Sequence, residues 1–233
     1  MAPEVRTVGV LGCGLMGSGI AQVAASSGYR TIVREVEAAP LTKGRAAIEK
    51  SLGRLVDKSK LSAADRDAAL ARLTFTTDLL SVADCDLVIE AVTEDLAVKT
   101  RLWGELDGRC PANTIFASNT SSLTIGAMAA ATARPDRFVG LHFFNPVPLM
   151  PLVEVVRALS TSRDTFERSL AFVQSLGKET VVSKDTPGFL VNLLLVPYLL
   201  DAVRALERGV GTVTDLDTAM RLGCGHPMGP FTL

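Results

Sequence analysis

Twelve positions separate His142 from Glu154, the two groups in this chain best suited to pass a proton back and forth. His142 lies in LHFFNPVPLM, against Phe143 and Phe144 and just before turns forced by Pro146 and Pro148. Imidazole is the side chain that ordinarily titrates near neutral pH. A carboxylate on one ring nitrogen fixes the ring's orientation and tautomer, and the other nitrogen is then free to take a proton from an alcohol as hydride departs. The competing reading is a core histidine satisfied by backbone. Two further polar groups bear on the choice. Ser118-Asn119-Thr120-Ser121-Ser122 follows the strand-like NTIFA, so its hydroxyls can reach a ligand at a strand end, although Ser122 also suits a helix N-cap. Asn192 interrupts the apolar GFLVNLLLVPYLL. A buried amide is costly unless hydrogen-bonded, so Asn192 either caps neighbouring backbone or meets a substrate oxygen. The second histidine, His226, sits in the turn GCGHPMGP without an evident carboxylate and reads as structural.

A second constellation is the run Gly12-x-Gly14-x-x-Gly17 in VGVLGCGLMGSG. Gly12 permits a tight turn, Gly14 lets backbone amides approach a pyrophosphate, and Gly17 allows close helix–strand packing at a positive helix N-terminus. Glu35 falls at the end of the next strand, near the ~20-residue spacing expected of a ribose ligand. Gly12, Gly14, Leu15, Met16, Gly17 and Glu35 are therefore assigned to a dinucleotide. Arg34 can accept a 2′-phosphate that Glu35 would repel, which favours NAD and leaves NADP open.

The elements that must carry these groups alternate strand and helix. Strands are expected over 5–11, 29–33, 85–92, 113–119, 138–144 and 152–156. Helices are expected over 18–26, 41–60, 62–73, along EDLAVKTRLWGELDG, along SSLTIGAMAAAT and over 164–178. This order describes an α/β fold, a doubly wound and mostly parallel sheet of Rossmann type. Beyond Lys184 the chain reads helical, with Thr186 as N-cap and Pro187 in the first turn. The expected domains are residues 1–184, binding NAD, and 185–233, the beginning of a helical second domain.

Composition excludes other classes. Net charge is −1 and pI about 6.2, with no footprint for nucleic acid or anionic membrane. No apolar stretch reaches the ~20 residues of a membrane span. Four cysteines stand far apart, which predicts reduced thiols, no zinc site and a cytoplasmic protein. The segment KGRAAIEKSLGRLVDKSK (43–60) holds six basic residues against two acids, which suits a polyphosphate ligand as well as a solvated helix face.

The motifs IEAVTE, ASNTSSL, LHFFNPVPLMPLVEVV, KDTPGFLVN and GHPMGPF, in that order after the glycine loop, resemble the L-3-hydroxyacyl-coenzyme A dehydrogenases, most of all the short 3-hydroxybutyryl-CoA type. The resemblance implies NAD-dependent interconversion of 3-hydroxyacyl-CoA and 3-ketoacyl-CoA. It implies that His142 is the acid–base group, Glu154 its orienting partner, and Ser121 and Asn192 the residues that hold substrate. It further implies that Glu94, Lys99, Asn119 and Asn145 contact the nicotinamide half of the cofactor, and that Ser51 and Lys58 contact coenzyme A. Relatives of this kind continue past GHPMGPF and pair as homodimers through the C-terminal domain, so a truncated second domain with an uncovered apolar helix is expected. A cofactor-binding fragment with little turnover and a related hydroxy-acid or sugar-acid dehydrogenase remain the alternatives.

Overall fold

The computed structural model describes residues 5–233. The chain divides into two compact units between Pro187 and Gly188. In the first unit, β1 (Thr7–Leu11) leads through the glycine loop into α1 (Leu15–Ser26), and β2 (Arg30–Arg34) follows. Then come α2 (Ala38–Asp57), α3 (Ala63–Ala71), β3 (Leu73–Thr76), β4 (Leu87–Glu90), α4 (Leu96–Asp107) and β5 (Ile115–Ser118). The short α5 (Ile125–Ala129), β6 (Phe138–Phe143), β7 (Leu152–Arg157), α6 (Arg163–Ser175) and β8 (Glu179–Lys184) complete the unit.

Eight strands among the described residues form one sheet, ordered β3-β2-β1-β4-β5-β6-β7-β8. Neighbours run parallel except β6 and β7, which are antiparallel. The central strands LVIE and IFAS are buried at every position, as strands covered by helices on both faces must be. The order reverses between β1 and β4, so the loops after these strands splay apart and leave a crevice at their carboxyl ends.

The expected doubly wound sheet is present, with three local departures. The helix expected over 62–73 stops at Ala71, and Leu73–Thr76 becomes an edge strand pairing with β2. The half-exposed Glu179–Lys184 adds a second unforeseen strand beside β7. The helix expected along SSLTIGAMAAAT shrinks to five residues. Its first turn is lost because the amides of Ser121, Ser122 and Leu123 are taken by Glu94 and the Thr120 hydroxyl. Asp185 then starts α5 by accepting from the Ile125 and Gly126 amides.

In the second unit, the helix expected from Thr186 begins instead at Val191. Gly188 and Phe189 have φ of 82° and 51°, outside the helical range, and delay it. This helix, α7 (Val191–Glu207), exposes Leu193, Leu194, Val196 and Leu200. After it, α8 (Val213–Gly223) opens with a reciprocal capping box between Thr212 and Asp215. No helix among the described residues is long and apolar enough to cross a membrane.

Candidate active site

The two proton-active residues meet because of strand register. β6 and β7 pair with His142 directly opposite Glu154, which puts both side chains on one face of the sheet. The imidazole Nδ1 lies 2.6 Å from Glu154 Oε2, and Nε2 lies 3.0 Å from Ser121 Oγ. Glu154 is fully buried and His142 is 4% exposed, whereas Ser121 is exposed. With Nδ1–H donating to the carboxylate, Nε2 is the acceptor, and it faces the side on which Ser121 meets solvent. The Phe144 ring packs 4.6 Å from the imidazole, centroid to centroid.

Ser121 is itself held by a second group of charges. Glu94 Oε1 accepts from the Ser121 amide at 2.9 Å and from the Thr120 hydroxyl at 2.5 Å. Burial alone would push the Glu94 carboxyl up, but the Thr120 hydroxyl, the Lys99 charge and the Ser121 amide outweigh it and the net direction is down. Lys99 Nζ lies 3.2 Å from Glu94, 2.5 Å from Glu90 and 3.3 Å from the Val92 carbonyl. All three ammonium donors are thus matched within the protein, and Lys99 is 1% exposed. The ammonium orders Glu94, which is the exposed member of the cluster. Asn119 is similarly engaged, its Oδ1 accepting from the Phe143 amide at 2.9 Å and tying the end of β5 to β6 beside His142.

The glycine loop fits a dinucleotide. Gly12 has φ of 96°, and a Cβ at Gly17 would lie 1.9 Å from the Gly12 carbonyl oxygen, so both positions require glycine. Gly14 faces open space. The Glu35 carboxylate accepts from the Cys13 amide at 2.8 Å and the Val36 amide at 2.7 Å, which locks it beside the loop. A cavity of about 540 Å³ in front of it is lined by Gly12, Gly14, Arg34, Glu35, Val92 and Arg101. A dinucleotide held here would set its ribose diol against this carboxylate and its pyrophosphate against the loop amides. Met16 packs on the core, and the exposed Leu15 turns to a second cavity.

That second cavity, about 390 Å³, gathers Leu15, Ser51, Arg54, Lys58 and Asn145. The sequence places these residues on three separate segments, and the packing of α2 and the 144–151 loop against α1 brings them together. Asn192 lies in the first turn of α7, in the second unit. His226 is exposed there, with its ring 6.0 Å from that of Tyr198.

Known proteins share this arrangement of elements. The family model for the NAD binding domain of 3-hydroxyacyl-CoA dehydrogenase matches residues 7–186, and that for its C-terminal domain matches 188–233. The chain belongs to the 3-hydroxyacyl-CoA dehydrogenase family. It is 50% identical to a 3-hydroxybutyryl-CoA dehydrogenase of Mycobacterium tuberculosis over 235 residues, covering 100% of this chain and 82% of that protein. It is also 50% identical to the mitochondrial hydroxyacyl-coenzyme A dehydrogenase of Homo sapiens, over 98% of this chain and 75% of that protein. Among solved structures, the (S)-3-hydroxybutyryl-CoA dehydrogenase of Ralstonia eutropha superposes with a TM-score of 0.95 at 44% identity, covering 97% of this chain and 80% of that one.

Sequence reasoning missed one member of this family member's site. Glu90 is fully buried and accepts from Lys99, from the Ser118 hydroxyl at 2.7 Å and from the Val92 amide at 2.8 Å. A signal was present, since Glu90 is a carboxylate closing an otherwise apolar buried strand, and a group so placed must be paired.

Proposed function

We propose that this protein oxidises L-3-hydroxyacyl-CoA to 3-ketoacyl-CoA with NAD, and catalyses the reverse, with 3-hydroxybutyryl-CoA as the representative substrate. The observation that carries the reading is the line Ser121–His142–Glu154, with contacts of 3.0 and 2.6 Å, in which Ser121 is the exposed member. His142 Nε2 accepts the carbinol proton while Glu154 holds Nδ1–H, and the Ser121 hydroxyl bridges the ring and the reacting oxygen. NAD supplies the acceptor for the hydride. The backbone amides at Gly14, Leu15, Met16 and Gly17 and the carboxylate of Glu35 hold the cofactor. Glu35 is fixed by two amides and cannot swing aside for a 2′-phosphate, which favours NAD over NADP. Glu94, Asn119 and Asn145 border the nicotinamide, with Lys99 behind Glu94.

Ser51 and Lys58, on the wall of the second cavity, take the coenzyme A moiety, where a lysine acts as a point charge on phosphate. Asn192 holds the substrate from the helical domain, residues 185–233. The apolar surface of α7 supports pairing with a second copy as a homodimer, and three buried thiols support a reducing, cytoplasmic setting.

The test is the loss of NADH absorbance with acetoacetyl-CoA, run beside free acetoacetate. Turnover confined to the thioester supports the reading. Comparable rates with the free acid point to a hydroxy-acid dehydrogenase, and cofactor binding without turnover points to a binding fragment.

A further inference from the structure

The loop between β6 and β7, residues 144–151, carries Asn145 and forms one wall of the cavity shared with Ser51 and Lys58. It has little means of holding its own shape. Prolines at 146, 148 and 151 have no amide to donate, and the bonds within the loop are those from the Leu149 and Met150 amides to the Pro146 carbonyl. Two contacts from outside supply what it lacks.

One is steric. Val147 is 2% exposed and presses on α1 at Gly19, where a Cβ would stand 2.8 Å from Val147 Cβ and 3.0 Å from its Cγ2. The loop can lie this close only because position 19 has no side chain. The other contact is polar. Lys178, in the turn between α6 and β8, donates its ammonium to the Val147 and Met150 carbonyls, each at 2.7 Å. It therefore holds the loop at two points, Val147 on the cavity wall and Met150 just beyond it. Burial pushes its pKa down. A half-buried ammonium on two carbonyl oxygens is serving those carbonyls.

We propose that Lys178 is a positioning residue for the substrate. It holds residues 147–150 against Gly19, so that the cavity wall is formed before the thioester arrives and no binding free energy is lost in ordering it. The inference rests on the reading of that cavity as the acyl-CoA site. It adds a residue that touches neither substrate nor cofactor.

The experiment uses Lys178→Met, which keeps the length of the side chain and removes its donors, in the full chain. Two measurements are made. Amide hydrogen exchange at Leu149 and Met150 should speed up in the variant, and this readout needs no turnover. With acetoacetyl-CoA and NADH, KM for the thioester should rise about five- to tenfold, as expected when the competent loop becomes a minor population. Lys178→Arg, which can still reach two carbonyls, should restore most of it, with kcat and KM for NADH staying within about twofold of wild type. Unchanged exchange at Leu149 and Met150 overturns the proposal, as does a proportional rise in both KM values. If wild type turns over no thioester while exchange still accelerates, the functional reading fails and the loop contact stands as a purely structural one, which overturns its role toward substrate. Should Lys178→Met not fold, Lys178→Gln, a shorter and uncharged side chain, is read in the same two ways.

Discussion

Two buried carboxylates lie on strands of one sheet, Glu90 at the end of β4 and Glu154 within β7, and do opposite things. Glu154 pairs with an imidazole that opens on one side to the Ser121 hydroxyl and solvent. Glu90 pairs with an ammonium that is closed on every side by Glu90, Glu94 and the Val92 carbonyl. Burial makes both pairs costly to break. The first sets one ring nitrogen on a hydroxyl, through which a proton can pass. The second has no site left for one and can only hold Glu94, and through it Ser121, in place. The difference lies in the group on the far side, a hydroxyl in one pair and a second carboxylate in the other.

Substitutions can break that contrast at either end. His142→Gln should cut kcat by roughly 10²–10⁴-fold, the usual scale of lost acid–base catalysis, with little change in NADH affinity. Steady-state rates and a cofactor titration read it, and near-normal turnover would remove the imidazole from the reaction. Lys99→Met leaves Glu90 buried without its cation and should lower stability by about 3–5 kcal/mol, measured by denaturant unfolding. Lys99→Met combined with Glu90→Gln should recover much of that loss. If it does not, the cluster is more than an ion pair.

Glu94→Gln sharpens the contrast through pH. The folded carboxyl of Glu94 titrates below its ordinary 4.5, so its ionised form contributes stability above that value and the contribution disappears as pH falls. The variant should therefore show a flatter acid limb in unfolding, by a small amount because Glu94 is 40% exposed. Its kcat should fall as well, since Ser121 loses its anchor. An acid limb as steep as in wild type would exclude Glu94 from the linkage. The smallest effect is expected away from both pairs. Lys58→Ala should raise KM for the acyl-CoA by a few-fold and leave NADH affinity unchanged, because one exposed lysine meeting a phosphate contributes on the order of 1 kcal/mol. Equal weakening of both ligands would assign Lys58 a different role.

The parts of this site that were legible in the sequence are those whose signal is local. Gly12, Gly14 and Gly17 announce a turn because few other residues fit it, and Glu35 follows at a spacing set by one strand and one helix. His142 and Glu154 could be matched because an antiparallel return through NPVPLMP leaves little freedom of register. Edge strands β3 and β8 were not legible. Each is partly exposed along its length, so the apolar pattern that marks a strand is weak there. The start of α7 was misplaced because Thr186-Pro187 is a good helix opening by propensity, and positive φ at Gly188 and Phe189 overrides it.

The sequence by itself determined the order of strands and helices, the cofactor loop, and which side chains have the chemistry for hydride and proton transfer. Only the tertiary structure decided which partners each of those side chains meets. Lys99 and Asn119 look as reactive as His142 when written in a line. Folding sets the Lys99 ammonium on Glu90 and Glu94 and the Asn119 Oδ1 on the Phe143 amide, partners drawn from other segments. A polar group has a fixed number of bonds to make, and what remains for a ligand is set by neighbours that no local pattern records.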